Sequence, residues 1–110
     1  MILDKDGATT IVSQENVALC KFIENFNKAY PTIKNDHIIV NLFSFSKLAS
    51  SDLLEFFQLS ETHKRAKKSF VLVANNVSFN EVPDSITVVP TLQEAKDIIE
   101  MEEIERDLEL

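Results

Sequence analysis

Apolar residues occur along this chain at two spacings. One is the short unbroken run: Ile38-Ile39-Val40-Asn41-Leu42 and Ser69-Phe70-Val71-Leu72-Val73-Ala74. Runs of this length, rich in β-branched side chains and bounded by polar residues, predict strands buried on both faces. Thr9-Thr10-Ile11-Val12 and Ile86-Thr87-Val88-Val89 predict two more, and Ile2-Leu3 a short first arm. Between that arm and the next lies Asp6-Gly7, a hairpin signal that contains the chain's only glycine.

The second spacing is helical. Leu19, Phe22, Ile23, Phe26 and Tyr30 form one stripe. Ser13 is placed to cap its start, and Tyr30-Pro31 is expected to stop it, because the residue before proline is pushed out of the α region. Leu53, Leu54, Phe56, Phe57 and Leu59 predict a second helix over about residues 51–67. Its apolar face should bring Phe57 against Ile39, Leu42, Phe70 and Leu72 in adjacent strands. Lys64, Arg65, Lys67 and Lys68, with His63, close this helix, where cations suit the negative end of its dipole. A third helix opens on a Thr91/Glu94 capping box and continues through Leu92, Ala95, Ile98, Ile99, Met101 and Ile104 to about residue 105. The order β-β-α-β-α-β-loop-β-α calls for an α/β fold: a mostly parallel sheet of four to five strands with helices packed on it.

Length changes little in this picture, since 110 residues suit one small domain. Charge changes more. Residues 97–110 hold seven acids and one base, whereas the other 96 residues carry eleven acids and ten bases. The acidity therefore belongs to the end of the chain. Residues 1–100 are expected to be the domain, and 101–110 an acidic helix end or tail. That segment crowds acids at the negative end of a helix, so it reads as a frayed solubilising tail or as a docking segment for a basic surface. A chain without a basic footprint is not expected to bind nucleic acid. Neither a leader-like stretch nor an apolar run of membrane-spanning length is visible, which points to the cytosol and away from membranes.

Candidate chemistry is sparse. Cys20 cannot form an intrachain disulfide and reads as an inert, buried or half-buried thiol beside the first stripe. His37 and His63 belong to no His-x-His or His-x-x-x-His set, so neither a metal nor any other cofactor is expected. With one glycine there is no phosphate-cradling loop, and no enzymatic activity is expected. What stands out is Ser50-Ser51-Asp52, a hydroxyl pair at a helix start after a buried strand. There backbone N–H groups and the positive helix end collect. The two readings of these serines are helix capping and phosphoacceptance or partner docking.

Around these residues the chain resembles the STAS family, the sulfate-transporter and anti-sigma-factor-antagonist domains. That family has an apolar-apolar-Asp/Asn-Leu strand end, about six residues, then Asp-Ser-Ser-Gly and an apolar helix. Here Ile39-Val40-Asn41-Leu42 is followed by residues 43–48 and then by Ala49-Ser50-Ser51-Asp52-Leu53. The family's apolar strand followed by Pro-Thr-Leu-x-Glu-Ala has its counterpart in Pro90-Thr91-Leu92-Gln93-Glu94-Ala95. The resemblance covers about residues 2–100. It implies a cytosolic protein-interaction module, regulatory and similar to anti-sigma-factor antagonists, monomeric or weakly dimeric, with a kinase-like or anti-sigma-like protein partner. The alternative is a small-ligand or lipid-binding domain that uses the C-terminal ends of its strands. In antagonists of the anti-sigma type the second serine accepts phosphate, and Ser51 occupies that position. Ala49 stands where the family has its acid and Asp52 where it has its glycine. A phosphate beside the Asp52 carboxylate meets like charge, so no working phosphoserine switch is expected.

Overall fold

Residues 2–13, 18–42, 54–74 and 86–108 are described by the computed structural model. Five strands form one sheet in the spatial order β1 (Ile2–Asp6), β2 (Thr9–Ser13), β3 (His37–Asn41), β4 (Phe70–Val73) and β5 (Thr87–Val89). β1 and β2 are antiparallel and the other three neighbouring pairs are parallel. The β1–β2 connection is the two residues Gly7-Ala8, with Gly7 at φ +61. A two-residue hairpin whose twist matches its strands needs a positive φ at its first central position, and glycine supplies it without a Cβ clash.

β3 and β4 lie in the middle of the sheet, and all four residues of β4 are buried. This explains their unbroken apolar sequence, since neither face meets water. Alternation divides their side chains between two layers. Val12, Ile38, Val40, Leu42, Phe70 and Leu72 face Phe22 and Phe26 of α1 (Leu19–Ile33) and Phe56. Phe56 ends a 3₁₀ turn, Leu54–Phe56, that leads into α2 (Phe57–Arg65). On the other face Ile39, Val71, Val73 and Val89 pack on Ala95 and Ile99 of α3 (Leu92–Leu108). Phe26 is the hub of the first layer, edge-on to Phe22, Phe56 and Phe70 at centroid distances of 6.4, 6.4 and 6.1 Å. Such edge-to-face pairs each add about 0.5–1.5 kcal/mol beyond the area they bury. The α/β class, the order of elements along the chain and the mostly parallel sheet agree with the sequence reading.

Several local expectations are corrected. Ser13 does not cap α1; it is the last residue of β2, paired with Asn41, and α1 begins after Ala18. Pro31 does not stop α1, which runs on to Ile33. Proline there removes one intrahelical bond, the one to the Asn27 carbonyl, close to the helix end. Buried Ile33 anchors the extra residues, and the Thr32 hydroxyl donates to the Ala29 carbonyl at 2.6 Å. Phe57 is exposed, and its neighbour Phe56 takes the core position. Ile39 is buried in the strand next to β4, paired with Val71, but faces α3 and not α2, the helix that carries Phe57. Cys20 is exposed, roughly a third of a helical turn away from the buried stripe. α3 continues through the acidic segment to Leu108. Among the described residues no helix is long and apolar enough to cross a membrane.

Candidate functional site

The parallel strands end together. Leu42 N–H donates to the Val73 carbonyl at 2.8 Å and Ala74 N–H to the Val89 carbonyl at 3.0 Å. This is the sheet edge from which β3 leads toward Ser50, Ser51 and Asp52. Those three residues, with Ala49, lie outside the described residues, and the chain resumes at the 3₁₀ turn that delivers Phe56 to the core. Residues 75–85 lie outside them too. At the far end of α3's lead-in, Glu94 N–H donates to Thr91 Oγ1 at 3.2 Å, so Thr91 caps as its spacing implies.

The titratable groups that the fold gathers lie at the opposite end of the sheet, where β3 and β4 begin. Phe56, Ser60 and His63 are buried on one face of the 3₁₀ turn and α2, which places the His63 ring beneath Tyr30 of α1. Its Nε2 lies 2.7 Å from the Asp36 carbonyl oxygen, which can only accept, so Nε2 carries the proton. Nδ1 then accepts from the Tyr30 hydroxyl at 2.8 Å. Burial pushes the His63 pKa down, partly offset by the Asp36 bond, and the same burial pushes Tyr30 up. Both groups are therefore neutral at pH 7. Asp36 itself accepts from Thr10 Oγ1 at 2.8 Å and meets Lys5 at 3.6 Å.

His37, the first residue of β3, is held in the same way. Ser69 N–H donates to its Nδ1 at 2.9 Å, so the ring proton sits on Nε2, 2.7 Å from Glu103 Oε1. Burial lowers its pKa; Glu103, half-exposed, pulls the other way, while Arg106 and Lys68 add to the lowering. The Ser69 hydroxyl donates to Glu102 Oε1 at 2.5 Å and accepts from Arg106 Nη2 at 2.6 Å. Ser69 and His37 thus meet through a backbone N–H and not through Oγ, whose proton goes to Glu102. Both rings have both nitrogens occupied, which fits anchoring of α1, α2 and α3 to the strand starts. Among the described residues no three His, Cys, Asp or Glu side chains group to hold a metal.

Sequence reasoning missed this network by treating each histidine as isolated. The signal for His63 was its spacing of four and three from Phe56 through Ser60, a buried stripe. For His37 it was the position directly before an apolar strand.

No family model matches the chain, and no curated protein matches it. Among solved structures, a serine-to-glutamate variant of RsbS from Moorella thermoacetica is similar, with a TM-score of 0.67, 12% identity, and coverage of 96% of this chain and 97% of that one. At that identity the likeness speaks to the fold, and the fold is STAS-like.

Proposed function

We propose that this STAS-like chain is a regulatory protein-interaction module, similar to anti-sigma-factor antagonists, that works in the cytosol through a protein partner and without a phosphoserine switch. The observation that carries the reading is the likeness to RsbS over nearly the whole of both chains. Ser50, Ser51 and Asp52, which follow β3 in the sequence, are the proposed docking residues. A phosphate on Ser51 would meet the like charge of the neighbouring Asp52 carboxylate. No catalytic step is assigned: the histidines that the fold does gather have their ring nitrogens committed to Tyr30, Asp36, Ser69 and Glu103. Nucleic acid and membranes are not proposed as partners, given the excess of acids.

The test is a pull-down with the tagged chain from its native cell. A specific protein partner is expected, held equally by the parent and by Ser51→Ala, and intact-mass measurement of the native protein is expected to show no phosphorylated population. A Ser51 phosphopeptide above trace occupancy would restore the phosphoswitch. Opposite effects of Ser51→Ala and Ser51→Asp on partner binding would do the same, and the absence of any partner would remove the interaction role.

A further inference from the structure

α3 carries two apolar stripes. Leu92, Ala95 and Ile99 face the sheet. Met101, Ile104 and Leu108 do not: they are 60%, 56% and 78% exposed. At about 100° per residue these three fall within about 60° of one another, nearly opposite the stripe that packs on the sheet. Spacing of three and four is what places side chains on one helix face, and among the described residues none covers this one. Acids border it on both sides, with Glu100 and Asp107 along one edge and Glu105 along the other, all exposed. The two cations of α3 are turned away from it. Lys96 pairs with Asp6 at 3.1 Å, and Arg106 is bonded to Ser69 and paired with Glu102.

From this we infer that the outward face of α3's second half is a docking surface for a basic amphipathic helix of a partner protein. The occupant would have apolar residues at helical spacing that cover Met101, Ile104 and Leu108, with Lys or Arg flanking them to meet Glu100, Glu105 and Asp107. Charge decides between occupants. A second copy of this chain would set acids against acids along the whole contact, and an anionic bilayer would repel the same border. The helix is already held for this task, since Glu102, Glu103 and Arg106 tie its second half to Ser69 and His37. The inference rests on α3 alone and on none of Ser50, Ser51 and Asp52. Failure of one does not imply failure of the other.

The experiment is a fluorescence-anisotropy titration of the full chain against a synthetic Leu/Lys/Arg peptide patterned as an amphipathic helix, beside a scrambled peptide of the same composition. The patterned peptide is expected to bind about tenfold tighter or better, a difference of about 1.4 kcal/mol. Ile104→Ser with Leu108→Ser should abolish that preference with the melting temperature unchanged, and Ser51→Ala should leave it intact. Should the double variant fold poorly, Met101→Gln alone is expected to weaken the preference. Equal binding of both peptides would reduce the surface to bulk charge and overturn the inference, as would a preference that survives the substitutions. A dimer in sedimentation that dissociates in the double variant would assign the face to a second copy and overturn it equally.

Discussion

Phe56 is fully buried while Phe57 keeps 38% of its surface exposed. Phe56→Ala should therefore cost about 3–5 kcal/mol through lost burial and the cavity left beside Phe22 and Phe26. Phe57→Ala should cost less than about 1 kcal/mol. Urea denaturation of the two variants checks this, and equal costs would place both rings in the core. Lys67 has φ 64, the left-handed region. It sits where α2 ends, with its own N–H donated to the Lys64 carbonyl at 2.9 Å and Lys68 N–H to the His63 carbonyl at 3.2 Å. This is the Schellman pattern, in which glycine is favoured at the position Lys67 fills. Removing the Cβ penalty of about 1–2 kcal/mol outweighs glycine's greater freedom in the unfolded chain, about 0.4–1 kcal/mol. Lys67→Gly should raise the melting temperature by a few degrees, and Lys67→Val should lower it.

At the scale of elements, α3 is where charge alone misled. Seven acids at the negative end of a helix were expected to fray it, yet it continues to Leu108. Arg106 and His37 compensate: Arg106 reaches Ser69 Oγ and lies 3.7 Å from Glu102, and His37 Nε2–H donates to Glu103. Truncation after Glu100 removes three bonds to Ser69 and His37. At a net 0.5–1.5 kcal/mol each it should cost roughly 1.5–4.5 kcal/mol and lower the melting temperature by several degrees, as calorimetry would show. An unchanged melting temperature would mean these contacts add nothing. What was legible in the sequence were features set by local physics: Gly7 in its hairpin, the doubly buried β3 and β4, the stripe of α1, the Thr91 cap. What was not legible depended on tertiary partners. Pro31 stays helical because Ile33 has a core to enter, and His63 is no surface cation because α1 and the Asp36 carbonyl receive its ring. The helix phase at Phe56 and Phe57 was misread because a 3₁₀ turn winds more tightly per residue than the α-helix assumed for the pattern. Of the candidate site, the sequence marked Ser50, Ser51 and Asp52 through motif spacing, whereas the histidine network joins residues 26 to 66 positions apart and left no motif.

For the whole molecule, that network makes stability depend on pH in a stated direction. His37 and His63 are buried and neutral, each with its pKa below the imidazole value of 6.5, burial being the first cause. In the unfolded chain both return to about 6.5. As pH falls through that value the unfolded state takes up protons that the folded state refuses, so stability declines, and it goes on declining until the folded rings protonate in turn. Glu103 faces His37 and the Asp36 carbonyl faces His63, and both soften the effect; Lys68 and Arg106 act on both rings in the opposite sense. Protonation of His37 also places a proton on Nδ1 against Ser69 N–H, which breaks the bond that aligns the start of β4 with β3. Ordinary carboxylates titrate near 4, so the window from pH 7.5 to 5.5 isolates the histidines. The urea midpoint is expected to fall across that window. His63→Gln keeps a donor for the Asp36 carbonyl without a titrating ring, and its midpoint should fall less steeply. Parallel slopes for parent and variant would show that His63 is not a source of the acid sensitivity.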